Sequence, residues 1–274
     1  MFDARRNQTI WGALFRFLEV VYHATVYNVR KTDKNAIVGL LKSCLQAAIM
    51  LVIFYVMLSL LGGKAMAVRG DYFLFLLSGI LLFMTHIKSI KAIAGAEGPN
   101  SPMMQHAPMN SLVAIFGAAL STLYQQVLST FVVLTIYHLV MAPVQIEEPV
   151  KAFGMFLLAW YSGVGVGWCF LALRPYAPGF INIIMPIYVR INMFASGKMM
   201  TASSLPYFML PFFLWNPLFH AIDQARGAVF INYEATVTSW QYAFWLSSAL
   251  VAIGFIGEGY IRQKLTVGWS SNAN

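Results

Sequence analysis

Long apolar stretches separated by short polar connections dominate this chain of 274 residues. A helix needs about 20 apolar residues to cross the hydrocarbon core of a bilayer. Stretches of that length lie at roughly 43–61, 72–94, 111–141, 152–173 and 240–261. The pattern predicts an all-α integral membrane protein with at least these five transmembrane helices.

The apolar region from 179 to 235 is interrupted by several prolines. Residues 179–198 can still form one span, because neighbouring helices can satisfy the carbonyl that Pro186 leaves without a donor. The segment that follows offers only about 15 residues between prolines, a length typical of a re-entrant or interfacial helix. We therefore predict six spans, with a re-entrant hairpin over 199–235 before the last one.

The basic residues favour the same topology. With six spans, twelve Lys and Arg residues fall on the side of the two termini and six fall on the opposite side. An excess of Lys and Arg marks the cytoplasmic side of a membrane protein. Both termini are therefore expected in the cytoplasm, with the chain in the cell inner membrane. A seventh span at 205–219 would reduce the difference to ten against eight, so six spans fit better.

The N-terminal region has the pattern of an amphipathic helix. Within residues 8–28, Trp11, Leu14 and Leu18 recur at helical spacing, while Glu19 lies on the other side. Such a helix lies in the membrane surface. A plain membrane attachment with no moving role is the alternative. The predicted domains are an N-terminal helix (1–35), a membrane domain (36–264) and a cytoplasmic tail (265–274).

The composition excludes other classes of protein. Hydrophobic residues make up 59% and charged residues 10%, with a mean hydropathy of +0.67, so a soluble domain would expose large apolar patches. The net charge is +8, but no basic tract with interleaved aromatic residues lies outside the spans. Nucleic acid is therefore not an expected partner.

The sequence lacks the usual catalytic motifs. Lys64 and Lys198 follow glycines, but neither has the next Ser or Thr of a phosphate-binding loop. The five histidines are scattered and the two cysteines are apolar in context, so no metal is expected. We predict no catalytic residues and no cofactor in this chain. The spans also hold few ionisable groups, which argues against a proton-coupled carrier. A transporter of this kind would need energy from a partner protein.

Two other patterns carry structural or functional hypotheses. Gly163 and Gly167 form a GxxxG face that favours close helix packing. Aromatic and amide side chains within the spans suit a sugar path, since sugars stack on aromatic rings and bond to amides. Lipid-facing positions are the alternative explanation for the same residues. The candidates are Phe54, Tyr55, Tyr124, Gln125, Tyr188, Asn192 and Phe194.

The loop at 95–110 is the largest cytoplasmic connection between spans. Its flexible methionines suit a cleft in a partner that changes shape, and its prolines break the helix. A solvated connector is the alternative. The predicted partner-coupling residues are Glu97, Pro99, Met103, Met104 and Pro108.

The segment NPLFHAIDQAR is the other conspicuous motif. Asn216 is a candidate helix cap before Pro217, and His220, Asp223 and Arg226 follow at three-residue intervals. Asp223 and Arg226 are spaced to form an ion pair. The group could brace a hairpin at the outer surface, which we favour. It could also hold an acid–base pair, His220 and Asp223, of a membrane-embedded transferase or hydrolase.

The order of these parts resembles the permease subunits of polysaccharide-export ABC transporters, the capsular-polysaccharide and O-antigen exporters. The resemblance covers nearly the whole chain, and its most specific segment contains a set of six matching residues. Asp223 departs from the pattern, since the family usually has Glu there. The matching residues are Asn216, Pro217, Leu218, His220, Asp223 and Arg226.

The resemblance implies a homodimer of permeases that carries two copies of a separate ATP-binding subunit, where ATP and Mg²⁺ bind. It also implies that the 95–110 loop is a coupling helix and that the N-terminal helix acts as a gate. The cargo would be a free or lipid-linked glycan, passed on to periplasmic and outer-membrane export proteins. Export of teichoic acid, lipid or drug by a related permease is the alternative.

Overall fold

The structure, a computed structural model, describes residues 10–32, 36–60, 71–97 and 111–271. All regular structure in these ranges is helical, with a short 3-10 turn at Ala202–Ser204. The helices are α1 (Ile10–Thr32), α2 (Ala36–Leu60), α3 (Tyr72–Ala94), α4 (Ser111–Val140), α5 (Pro149–Leu173), α6 (Pro178–Ala195), α7 (Leu210–Leu214), α8 (Pro217–Val229) and α9 (Trp240–Ser271).

Local sequence signals set the starts of several helices. The carboxylate of Asp71 accepts a hydrogen bond of 2.9 Å from the amide of Phe73 and so caps α3. Helices α5, α6 and α8 each begin with a proline, which lacks the amide proton that a first helical turn leaves unused. Pro186 lies inside α6 without ending it.

Five helices are long and apolar enough to cross a membrane. They confirm the five long spans of the sequence prediction, although the first begins at Ile37 rather than near residue 43. Helix α6, with 18 residues, corresponds to the predicted span at 179–198 but does not reach the same combination of length and hydropathy as the other five. The sixth crossing therefore stays a prediction.

Glycines place α5 directly against α3. A Cβ atom on Gly163 would lie 2.5 Å from the carbonyl oxygen of His86, and one on Gly167 would lie 3.0 Å from the Cα of Ile90. The GxxxG packing prediction is confirmed. The residue numbers of the contacting pairs increase together in both helices, from His86 with Gly163 to Ile90 with Gly167. Helices α3 and α5 therefore run in the same direction.

Helix α9 also runs parallel to α5. Gly165 faces Ser247, and further along Gly254 packs against the indole ring of Trp168. The chain therefore leaves α5 at one end of the bundle and enters α9 at the other end. Residues 174–239 must bring it back along the length of α5.

Helices α1, α2 and α4 surround this core. The ring of Phe17 in α1 meets the ring of Phe116 in α4 edge-on, with 6.0 Å between centroids. In α2, the ring of Tyr55 stacks on that of Phe73 at 4.4 Å. Most large apolar residues of α2 are exposed in this chain, as expected for a helix that faces lipid.

The residues after α6 form two short helices. Helix α7 has 5 residues and α8 has 13, and 13 helical residues span only about 20 Å. Neither is long enough to cross a hydrocarbon core of about 30 Å. The choice of six spans over seven stays a prediction. The amide of Glu148, at the start of α5, donates a 2.9 Å hydrogen bond to the carbonyl of Ala228, near the end of α8.

Candidate functional site

The start of α8 lies beside α6. The side-chain oxygen of Asn216 accepts a 3.0 Å hydrogen bond from the amide of Leu218, so the predicted helix cap is confirmed. Its amide nitrogen donates to the side-chain oxygen of Asn192 at 2.8 Å and to the carbonyl of Ala195 at 3.0 Å. Asn192, a path candidate, is thus buried in the contact between α6 and α8.

His220 uses both ring nitrogens for backbone contacts. Its Nε2 donates to the carbonyl of Leu214 at 2.7 Å, and its Nδ1 accepts from the amide of Ser239 at 3.0 Å. Burial lowers the pKa of the imidazole, which matches this neutral donor–acceptor arrangement. Neither nitrogen is left to exchange a proton with Asp223, so the geometry does not support the acid–base pair.

Asp223 is buried and fully hydrogen-bonded. One carboxylate oxygen accepts from the amide of Ala202 at 3.1 Å and from the hydroxyl of Tyr233 at 2.5 Å. The other accepts from the hydroxyl of Thr238 at 2.8 Å. Burial and the adjacent charge of Asp223 raise the pKa of Tyr233, so the phenol remains a donor. Asp223 therefore joins the loops on both sides of α8.

Arg226 is fully buried and does not form the predicted pair with Asp223. Its Nη1 donates to the carbonyls of Gly197 and Met200 at 2.8 and 2.6 Å, and its Nη2 donates to the carbonyl of Lys198. The ion-pair prediction is wrong because the turn after α6 folds over the guanidinium and offers three carbonyls. Both residues are buried within the chain, and the position of the hairpin at the outer surface stays a prediction.

The ring of Phe75 covers Arg226 from α3. The guanidinium carbon lies 3.9 Å from the ring centroid, a cation–π contact. Gly79, one helical turn further, leaves room for the same group, since a Cβ there would lie 2.8 Å from Nη2. Helix α3 is thereby shaped to receive the segment that contains Lys198.

His86 anchors a second polar contact in the centre of the bundle. Its Nδ1 lies 2.8 Å from the hydroxyl of Ser162 in α5, and its Nε2 lies 3.2 Å from the hydroxyl of Tyr188 in α6. Tyr188, a path candidate, therefore ties α6 to α3 and α5.

The predicted path residues do not form one cluster within this chain. Phe54 is buried and Tyr55 is half-buried, while Tyr124 and Phe194 expose more than half of their surface. Their role in a sugar path stays a prediction.

A cavity of about 760 Å³ lies between α1, α2, α3 and α4. Gln125, the remaining path candidate, lines this cavity together with several lysine side chains. Lys31 forms a 3.4 Å ion pair with Glu97, which joins the end of α1 to the residues just beyond α3. Its lysines are Lys31, Lys42, Lys88 and Lys91.

Most of the predicted coupling loop lies outside the residues that the structure describes. Glu97 is described, whereas Pro99, Met103, Met104 and Pro108 lie outside the described residues. Within the described ranges, no group of three or more His, Cys, Asp or Glu side chains could hold a metal ion.

Lys198, Phe75 and Gly79 contribute to the site but were not among the predicted site residues. No distinctive signal for Lys198 exists in the sequence, because lysines are common at the ends of membrane helices. Phe75 and Gly79 gave none, because both are ordinary residues of a membrane helix.

Comparison with known proteins gives two significant similarities. Two polysialic acid transport proteins KpsM from Escherichia coli are 26% and 25% identical to this chain over 197 residues. The similarity covers 69% of this chain and 72% of each relative. No protein-family model matches the chain. The similarities confirm the resemblance to permeases of polysaccharide-export ABC transporters and support a polysaccharide-transport permease in the membrane.

Proposed function

We propose that this chain is the membrane-spanning subunit of an ATP-driven exporter. It moves a free or lipid-linked polysaccharide from the cytoplasm across the inner membrane, and a separate ATP-binding subunit supplies the energy. The observation that carries this proposal is the similarity to the KpsM transport proteins over 69% of the chain. The chemistry within the chain is compatible with transport, since His220 and Asp223 are both engaged in structural hydrogen bonds.

The proposed topology has six crossings with both termini in the cytoplasm. The parallel arrangement of α5 and α9 supports it, because the segment between two parallel spans must cross the membrane an odd number of times. One crossing gives six spans in total. Helix α6 makes this crossing, and its contact with His86 through Tyr188 lies at the level of the bundle centre. Helices α7 and α8 then form the re-entrant hairpin.

The proposed assembly contains two copies of this chain and two ATP-binding subunits. Tyr124 and Phe194 remain exposed in the single chain, which supports a sugar path completed by a second copy. Glu97 lies at the start of the coupling loop, and its ion pair with Lys31 links this end of the loop to α1, the proposed gate helix. Periplasmic and outer-membrane export proteins would receive the glycan.

Affinity purification from native membranes tests this proposal. We expect an ATP-binding protein to co-purify with the tagged chain, and we expect the complex to hydrolyse MgATP. Inside-out vesicles that contain the complex should take up a labelled glycan only when ATP is present. Robust ATP hydrolysis by the chain alone, or the absence of any ATP-binding protein from the purified material, would contradict it.

A further inference from the structure

The cavity between α1, α2, α3 and α4 brings basic side chains from three helices together. Lys31 comes from α1, Lys42 from α2, and Lys88 and Lys91 from α3. Its volume of about 760 Å³ falls within the range of about 300–1,000 Å³ that is typical of ligand sites. Glu97 is the one acidic residue among the described lining residues, so this lining has a formal charge of +3. The cavity therefore suits an anionic ligand.

Neutral hydrogen-bonding groups accompany the lysines inside the cavity. The ammonium group of Lys88 donates to the hydroxyl of Ser43 at 2.7 Å, which holds both side chains at the junction of α2 and α3. Gln46 and Gln125 add amide groups to the same lining, and Ser121 adds a hydroxyl. Lysine binds phosphate as a point charge, and neutral donors can complete the contacts to the remaining oxygens. A phosphate diester, with both charged and ester oxygens, fits this mixed set of donors.

The lysines lie near the ends of their helices, at the depth of lipid headgroups. Lys42 lies in the second turn of α2, and Lys88 and Lys91 lie in the last two turns of α3. A solvated lysine at the end of a membrane helix is common, and this would explain any one of them. It does not explain why lysines from three helices share one cavity. Basic pockets between membrane helices bind the headgroups of anionic lipids such as cardiolipin.

An apolar, lipid-facing surface lies directly beside the cavity. In the described ranges, α1 packs mainly against α4 and makes few contacts with α2, which leaves a gap between α1 and α2. Leu45 follows Lys42 by three residues on α2, so their side chains are neighbours on the helix surface. Ile49 stands in the same relation to Gln46, and both Leu45 and Ile49 are more than half exposed. A headgroup beside Lys42 would thus have a surface for its acyl chains, which a soluble anion would not need.

We propose that this cavity binds the headgroup of an anionic phospholipid, whose acyl chains leave between α1 and α2. The formal charge of +3 favours a headgroup with two phosphates, as in cardiolipin, over one with a single phosphate. The lipid is a bound component of the membrane subunit and not its cargo. Its phosphates contact lysines of α1, α2 and α3 together and so fasten α1 to the other two helices. This inference goes beyond the proposed function and does not rest on it.

Native mass spectrometry of the full chain tests the proposal in the absence of any glycan. The chain is purified in detergent from a strain that makes no polysaccharide, and it is mixed with cardiolipin or with zwitterionic phosphatidylcholine. The test variant combines Lys42→Gln with Lys88→Gln. The matched control combines Arg30→Gln with Lys151→Gln, which removes the same charge from two exposed residues outside the cavity. Inorganic phosphate, added as a competitor, represents a soluble anion.

We expect the wild type and the control to retain one cardiolipin per chain at least fivefold more often than phosphatidylcholine, and phosphate not to displace it. The test variant should lose this preference. Cardiolipin should also raise the unfolding temperature of the wild type and the control by about 3 °C or more, because a ligand that binds only the folded state stabilises it. If the test variant does not fold, Gln46→Glu places a negative charge at an exposed residue of the lining and should show the same loss.

Several results would overturn the lipid site. The wild type would retain both lipids equally, or the test variant or Gln46→Glu would retain cardiolipin as well as the wild type does. Equal losses in the test variant and the control would indicate a general attraction of lipids to basic residues. Displacement of the lipid by phosphate would indicate a site for a soluble anion instead. Transport is not measured, so none of these results bears on the proposed function.

Discussion

The guanidinium of Arg226 lies over the ring of Phe75, with 3.9 Å between the central carbon and the ring centroid. This contact joins α8 to the first turn of α3 and places a full positive charge in the protein interior. The carbonyls around the guanidinium satisfy it in place of an acidic partner. Arg226 is therefore a structural anchor of the segment after α6.

Replacement of Arg226 by methionine should destabilise the protein. Three carbonyls would lose their donor, and each unsatisfied buried group costs about 1–3 kcal/mol. We expect a loss of about 3 kcal/mol or more, seen as a lower unfolding temperature in nanodiscs. Arg190→Met, at an exposed position of α6, is the matched control and should unfold close to the wild type. Equal unfolding temperatures for the two variants would contradict the anchoring role.

Two glycines of α5 should respond in opposite ways to alanine. The Cβ of Gly163→Ala would overlap the backbone of His86, and overpacking of this kind costs about 1–3 kcal/mol. Gly154→Ala meets no atom within 4 Å, so it should gain about 0.5–1 kcal/mol from higher helix propensity. Thermal unfolding of both variants measures the difference. A Gly163→Ala variant as stable as Gly154→Ala would show that α3 and α5 are further apart.

Cysteine labelling should locate the hairpin relative to the membrane. Ser203 and Asn232 are both exposed and flank α7 and α8. With Cys44 and Cys169 replaced by alanine, Ser203→Cys and Asn232→Cys should each react with an impermeant maleimide in intact cells. Lys91→Cys, exposed at the other end of α3, should react only in inside-out vesicles. Labelling of position 203 or 232 from the cytoplasmic side would rule out six spans.

The variant that combines Glu97→Lys with Met103→Asp should lose its ATP-binding subunit. Charge reversal at Glu97 also removes its ion pair with Lys31 at the start of the coupling loop. We expect the amount of co-purified ATP-binding protein to fall at least fivefold while the amount of chain in the membrane stays the same. The Glu148→Lys variant, at the start of α5, is a control that should not reduce co-purification. Wild-type recovery of the partner from the double variant would exclude this loop as the docking site.

The sequence predicted the long helices well because their signal is local. Apolar length alone located α3 and α5, and the Asn216–Pro217 pair located the start of α8. The partners of Asp223 and Arg226 were not predictable in this way. The spacing of the two residues permits an ion pair, but their actual partners lie in loops on both sides of α8. Such contacts depend on how distant segments fold together, which periodicity does not report.

The glycine contacts of α5 separate a tightly packed group of helices from more loosely attached ones. Gly163 and Gly167 bring α3 to backbone distance, and Gly165 does the same for α9 on another face. Helices joined at backbone distance have no long side chains between them that can repack, so α3, α5 and α9 should move as one rigid frame. Helices α1, α2 and α6 are attached to this frame mainly through side chains. We therefore expect the conformational changes of the transport cycle to take place in these outer helices, while α3, α5 and α9 keep their relative positions.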